Sequence, residues 1–312
     1  MVSVLGRRLL GVAVGLGADR IMGDPPDMVH PVAWFGRAMG WAERRLWVDG
    51  RLAGVGLTGA GLLAAFSAGA GLRASGPFAS AALGTAMCSA GRSLGLAAVA
   101  VEGALRDGDL VLARDRLRAI VGRDVAGLDS VEVARAAVES VAENTVDAVV
   151  APAFWAAVGG APGALGYRAV NTLDAMVGYR DDRYRQFGWA SARADDLANW
   201  IPARLTAAAT ALCCPSAARS VWRAVRDQAP AHPSPNAGVA EAAFAAALGV
   251  TLGGPSTYSG QVEHRPLLGT GRPPAASDIR RAVRLSGEVT AVVGSACVAG
   301  SVALGRRRVG RL

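Results

Sequence analysis

One uncharged run, from Leu52 to Leu72 and closed by Arg51 and Arg73, constrains this chain more than any other feature. At about 1.5 Å per residue, roughly twenty apolar residues cross a ~30 Å hydrocarbon core. A single segment can satisfy its own backbone there only as a helix. The run therefore predicts a transmembrane helix. Pro77 to Val101 is a second such run, interrupted by Arg92, and Gly287 to Gly305 a third, ending at Arg306, Arg307 and Arg308. Arg7 and Arg8 precede another apolar stretch, Leu9 to Gly17. Asp19, Arg20 and Asp24 then stand where a signal peptide needs small cleavage-site residues, so a first membrane segment is expected. Val146 to Leu165, Ile201 to Cys214 and Ala237 to Gly253 are shorter or broken by Pro and Gly, which leaves open whether they span, re-enter or lie buried.

Composition agrees with a membrane chain: 52% of residues are hydrophobic, and 40 glycines lie mostly within apolar stretches, as close helix packing in lipid requires. The formal charge of +8 comes from arginine alone, because the sequence has no lysine. That excludes a P-loop lysine and any Schiff-base lysine. Phosphate must be held by arginine, backbone N–H groups, helix N-termini or a metal. The arginines are divided among loops around the spans without interleaved aromatics, which argues against a nucleic-acid binder. Arg20 to Arg51 and Glu102 to Asp147 are the arginine-rich connections and are expected to face the cytoplasm. The four cysteines lie in apolar stretches without ligand spacing and read as small buried hydrophobes. Gly54, Gly56 and Gly59 match G-x-G-x-x-G, but inside the cleanest span and with no preceding strand, so the match reads as helix packing. No period-2 alternation of useful length is present, and the predicted class is all-α: a polytopic integral-membrane helical bundle with cytoplasmic helical loops. One domain is expected over 1–312, with a helical insertion at about 102–147, in which Asp129 or Ser130 caps a helix carrying Glu132 and Glu139.

Polar residues gather in short, dense patches. Asp24 and His30 flank the stiff Pro25-Pro26 and precede Pro31. Glu139, Glu143 and Asp147 recur every fourth residue, which puts three carboxylates on one helix face. Like charges there repel, so beside an apolar segment they call for arginine or Mg²⁺. Asn171 and Asp174 stand one turn apart, beside Arg168 and ahead of Arg180. Arg193, the adjacent pair Asp195 and Asp196, and Asn199 lead into another apolar segment, a pattern suited to Mg²⁺. His232, Ser234 and Asn236 form a proline-held loop that opens an alanine-rich stretch containing Glu241. The last patch holds Tyr258, Glu263, His264 and Arg265. These features define a membrane protein with an acid- and arginine-rich site next to the bilayer, binding a phosphorylated ligand with Mg²⁺.

Together the patches resemble the adenosylcobinamide-phosphate synthase (CobD/CbiB) family. The resemblance is carried by GDPPDMVHPVAWFGR (23–37), ESVAENTVDAVVAPAFW (139–155), the long stretch 167–205, HPSPNAGVAEAAFAAALGV (232–250) and 253–274. It implies a multi-pass enzyme of the bacterial cytoplasmic membrane, with its site facing the cytoplasm. Such an enzyme joins adenosylcobyric acid to aminopropanol or its phosphate, with ATP and Mg²⁺ and no bound prosthetic group. It also implies the lipid bilayer as a partner, a homo-oligomer or association with other cobalamin-assembly enzymes, and no nucleic acid. Expected roles are Glu139, Glu143 and His232 in catalysis and Asp147, Asp195 and Asp196 at the metal. Asp24, His30, Asn144, Arg168, Asn171, Asp174, Arg180, Arg193, Asn199, Ser234 and Asn236 are expected to contact substrate or nucleotide. The rival readings are a non-catalytic membrane sensor related to AmpE, which should lack much of this motif set, and a transporter, which would place ionisable groups inside its spans.

Overall fold

A computed structural model describes residues 3–26, 28–179, 181–258 and 261–309. The chain begins with α1 (Val4–Met22), α2 (Pro31–Leu46) and α3 (Arg51–Leu72). A single 3₁₀ turn leads to α4 (Gly76–Cys88), followed by α5 (Gly91–Arg106), α6 (Leu110–Leu117) and α7 (Ser130–Thr145). A π-helical segment, Val146–Val150, precedes α8 (Ala151–Gly159) and α9 (Ala161–Val177). Next come α10 (Trp189–Ala198), α11 (Trp200–Cys213), α12 (Ala218–Asp227) and α13 (Ala237–Leu248). The hairpin β1 (Leu252–Tyr258) and β2 (Gln261–Leu268) and the long α14 (Ala276–Val309) complete the chain.

Local chemistry explains the boundaries that matter for function. His30 caps α2 by accepting the Val32 N–H at 3.1 Å, and Pro31 occupies the first turn, where its missing N–H costs nothing. Asp129 and Glu132 form a reciprocal capping box at the start of α7, which identifies Asp129 as the cap. Gly160, at φ +68°, separates α8 from α9 in a conformation open to glycine.

The chain divides into two compact units. The first is built from the described residues of 1–90, 147–199 and 293–312. In it α1 packs on α4, and α3 packs on α9 and α10. Leu57, Leu173, Val177 and Phe187 form a fully buried cluster there, flanked by Phe35, Met39 and Met176. The second unit comprises 91–146 and 200–292. Its centre is α13, packed against α7, α11 and α12, with ten of its twelve residues buried. Twelve residues reach only about 18 Å, too short to span, so the alanine-rich stretch is a buried core helix.

Three details differ from the sequence reading. Pro77 to Val101 is not one rod: the chain breaks at Ser89 and Ala90, where the Ala90 N–H bonds the Ala148 carbonyl at 2.9 Å. Gly108 to Ala142 contains only the short α6 before a loop leads to α7. Leu252–Tyr258 and Gln261–Leu268 form an antiparallel two-stranded ribbon, with Leu252 opposite Leu268 and Tyr258 opposite Gln261. Its glycines and prolines hide any alternation. It is held from outside by Arg135, which donates to the carbonyls of Gly253 and Pro255, and by the Asp124 N–H, which bonds the Thr257 carbonyl at 2.8 Å.

Among the described residues, two helical stretches suffice by length and composition to cross a membrane, Arg51–Arg106 and Ala276–Arg306. Leu52 and Leu63 on α3 are 87% and 70% exposed, so apolar side chains face outward there, unlike those of a soluble core helix.

Candidate functional site

In the first unit, α9 and α10 bring together residues that lie 24 to 32 positions apart in sequence. Asn171 donates to one carboxylate oxygen of Asp195 at 3.3 Å, and Asn199 donates to the other at 3.0 Å. Arg168 donates to the Asn171 side-chain oxygen at 3.3 Å, and the Tyr167 hydroxyl donates to Asn199 Oδ1 at 3.0 Å. Asp147, in the π-helical segment, places Oδ1 3.3 Å from the same hydroxyl. A single hydroxyl proton cannot serve both acceptors fully, and the shorter contact to Asn199 is the bond. Burial, then the charges of Asp147 and Asp195, hold the Tyr167 hydroxyl well above its usual range, so it acts as a neutral donor. Asp147 thus meets the tyrosine directly and Asp195 through Asn199, with two amides fixing the orientation of Asp195.

Arg168 also lines a cavity of about 820 Å³ in this unit. Asp24, His30, Arg37, Arg44, Thr172 and Met176 complete most of its wall. Three guanidiniums against one carboxylate make the wall cationic. His30 Nε2 lies 3.6 Å from Asp24, and its Nδ1 is occupied by the helix cap, so the Gly-Asp-Pro-Pro turn and the first turn of α2 are locked together. The backbone opens room for this cavity at Gly36 and Gly40, which share a face of α2 with Arg37 and Arg44.

The second unit holds a separate acidic cluster. Glu139 and Arg123 form a buried ion pair at 2.7 Å, with side chains 2% and 7% exposed. Glu139 also accepts the Gly253 N–H at 2.7 Å, and Arg123 donates to Ser256 Oγ at 3.1 Å. Glu139 is therefore held by a charge and a backbone donor. Arg123→Ala should lower the stability of this unit by about 3–5 kcal/mol, because it leaves a carboxylate buried without its counter-charge. A thermal unfolding midpoint in detergent no lower than wild type would contradict this. Glu143 is reached by solvent. His232 Nδ1 lies 3.1 Å from the Ser234 nitrogen and 3.2 Å from the Ser234 carbonyl oxygen, and Nε2 points towards Glu241 at 3.7 Å. Burial, above all, keeps this imidazole neutral. Ser234 Oγ accepts the Ala237 N–H at 3.1 Å at the start of α13, and Arg204 donates to Asn236 Oδ1 at 3.1 Å.

Other expected site residues have more local partners. Asn144 donates to the Ser140 carbonyl one turn back, at 2.9 Å. Asp196 pairs with Arg193 at 3.6 Å, both directed away from the Asp195 network, since consecutive helical residues diverge by about 100°. Asp174 packs its carboxyl against Gly178, where an added Cβ would overlap it. Arg180 lies outside the described residues. Among the described residues no three His, Cys, Asp or Glu side chains form a metal-holding group. Sequence reasoning passed over Tyr167, Arg37, Arg44 and Arg123 as site residues. The Gly36-Arg37 and Gly40-to-Arg44 spacing on one helix face was the available signal for two of them.

The described residues thus form a helical protein with two stretches long and apolar enough to cross a membrane and an arginine-lined cavity near the Asp195 network. Comparison with known proteins names the family. The family model described as "CobD/Cbib protein" matches residues 12–286, so the chain belongs to the CobD/CbiB family. It is 47% identical over 291 residues to the cobalamin biosynthesis protein CobD of Mycobacterium tuberculosis, covering 91% of this chain and 93% of that one. The protein of the same name from Chromobacterium violaceum is 47% identical over 288 residues, covering 88% and 91%. That of Rhodobacter capsulatus is 41% identical over 310 residues, covering 93% and 98%. No solved structure matches.

Proposed function

We propose that this chain acts in cobalamin biosynthesis as an ATP-dependent amide ligase of the bacterial cytoplasmic membrane. It joins a propionate of adenosylcobyric acid to aminopropanol or aminopropanol phosphate. The observation that carries the reading is the arginine-lined cavity, continuous through Arg168 and Asn171 with the Asp195 network. Its volume lies within the range of ordinary small-molecule pockets, and its cationic wall suits a polyphosphate. Arg37, Arg44 and Arg168 hold the phosphate oxygens. Asp147 and Asp195 are the residues that would hold Mg²⁺; hard oxygen donors in a pair fit a cation that keeps water and phosphate in its remaining positions. When bound, Mg²⁺ neutralises charge on the transferred phosphoryl group.

A carboxylate does not condense with an amine unaided. The propionate oxygen attacks the γ-phosphorus, releasing ADP and forming an acyl phosphate. The amine nitrogen then attacks the acyl carbon, the C–O bond to phosphate breaks, and the amine proton passes to a base. Guanidiniums fixed before reaction stabilise the charge without reorganising. The outward apolar faces of α3 and the final helix support a bilayer around this machinery.

The test uses detergent-solubilised protein with ATP, Mg²⁺, adenosylcobyric acid and either form of the amine, reading ADP and the amide mass together. Amide formation strictly dependent on ATP is expected. Arg37→Met combined with Arg44→Met should raise the KM for ATP at least about tenfold, the loss of one or two charge-assisted phosphate contacts. Folded protein that binds the corrinoid yet makes no amide from either amine would refute the ligase.

A further inference from the structure

The cavity and the Asp195 network leave the acidic cluster of the second unit without a task. Glu241 is 1% exposed, and neither of its carboxylate oxygens has a protein hydrogen-bond donor. His232 Nε2, in a side chain also 1% exposed, is equally unpartnered. Native proteins satisfy nearly all such buried groups, so two facing one another call for an explanation. Their 3.7 Å separation is too long for a hydrogen bond and too short for a water on the line between them. His232 Nδ1 also lies 3.2 Å from the Ser234 carbonyl oxygen; in the tautomer that donates to it, Nε2 presents its lone pair towards Glu241 and serves as a further acceptor. Gly238 makes this placement possible, since an added Cβ there would overlap the His232 side chain.

Charge counting identifies what is missing. Glu139, Glu143 and Glu241 face Arg123 and Arg265, three carboxylates against two guanidiniums. Arg123 is committed to Glu139 and Ser256, and Arg265 lies 5.1 Å over the Tyr258 ring. With all three carboxylates ionised, one positive charge is lacking. A divalent ion would exceed the single charge that is lacking. A group carrying one charge and three N–H donors matches both Glu241 oxygens and a third acceptor.

We propose that Glu241, with Glu143 and His232, forms a receptor for the ammonium group of a small primary amine. Glu143 is the member reached by solvent, and Glu241 the buried one. The ligase reading supplies only the identity of the amine, an amino alcohol; the receptor chemistry stands on the cluster itself. Without ligand, burial and then the neighbouring Glu139 and Glu143 charges keep the Glu241 carboxyl protonated, against the lowering by Arg265 and Arg123. His232 and Tyr258 are neutral in the same surroundings. Ammonium binding ionises Glu241, so about one proton is released per amine bound, and affinity rises with pH until the amine itself deprotonates. The same ionised carboxylate can then accept a proton from the ammonium and leave a nucleophilic amine.

The experiment is titration calorimetry of the full chain in detergent, without ATP or corrinoid, in two buffers of different ionisation enthalpy. The probes are 1-amino-2-propanol and the amine-free 1,2-propanediol. Glu241→Gln keeps the shape and charge of the protonated carboxyl and should fold as wild type does. The amine should bind wild type with release of about one proton, bind Glu241→Gln at least tenfold more weakly and without release, and exceed the diol on wild type by a similar factor. Equal amine binding by the two proteins, binding of the diol as tight as that of the amine, or no amine binding to wild type would each overturn the receptor. Amide formation that persists in Glu241→Gln with an unchanged KM for the amine sinks the receptor alone. Amine binding without any amide product sinks the ligase reading alone.

Discussion

Asp195→Asn should cut amide formation by about two to three orders of magnitude while leaving the fold intact. The substitution keeps the shape of the side chain but not its chemistry. Both Asp195 oxygens are acceptors, one for Asn171 and one for Asn199. An asparagine amide must turn its own NH₂ towards one of these donors, which breaks that bond and removes the negative charge. Asn171 links the carboxylate to Arg168 and hence to the cavity wall, and Asn199 links it to Tyr167, so one exchange loosens both ends. Loss of one preorganised electrostatic group in an active site typically costs a factor of about 10²–10³. The measurement is single-turnover amide formation at saturating ATP, with the thermal midpoint as a check on folding. Wild-type rates in Asp195→Asn would remove this network from the reaction. Asp196→Asn is the internal comparison: its half-buried carboxylate pairs with the exposed Arg193 at 3.6 Å, and less than about a threefold change is expected for a pair that loose.

Gly54→Ala should be among the most destabilising single substitutions in the first unit, about 3 kcal/mol or more. A methyl group at Gly54 would overlap the carbonyl oxygen of Phe187, and backbone cannot rotate away as a side chain can. Phe187 is itself part of the buried cluster with Leu57, Leu173 and Val177, so relieving the clash means lifting α3 from the segment before α10. Overpacking costs of about 1–3 kcal/mol arise where side chains can adjust, and here the obstruction is main chain. Gly56 provides the control, because nothing lies within 4 Å of a methyl added there. Gly56→Ala should match or slightly exceed wild-type stability, through the better helix propensity of alanine. Comparable thermal midpoints for the two variants would show that α3 does not seat on Phe187 as described. Of the three glycines in the G-x-G-x-x-G match, only Gly54 is needed for packing.

Much of this molecule was legible before any coordinates. Helical periodicity and uncharged runs identify the helices because burial and lipid both select on side-chain polarity, which is written in every residue. A helix start at Asp129 or Ser130 was readable for the same reason, since a cap acts within one turn, whereas the entry to α2 at His30 and Pro31 was read only as a stiff turn. The ribbon at 252–268 was not. Gly253, Gly254, Pro255 and Pro266 interrupt any alternation, and the segment is held by Arg135 and by the backbone of Asp124, more than a hundred residues away in sequence. The break at Ser89 and Ala90 was equally hidden, since a distant carbonyl, that of Ala148, takes up the freed N–H.

The candidate site divides in the same way. Sequence by itself determined the helical class, the uncharged Leu52 to Leu72 run, the exclusion of lysine chemistry and the residues carrying the family resemblance, because these depend on residue type and local spacing alone. Only the tertiary structure decided that Asp195 joins Asn171 and Asn199 while its neighbour Asp196 turns outward. It also placed Tyr167 between two carboxylates, tied Glu139 to Arg123 and left Glu241 facing His232 without a donor. Each of these outcomes depends on which helix lies opposite, and electrostatic and hydrogen-bond energies fall off over a few ångströms of space irrespective of separation along the chain.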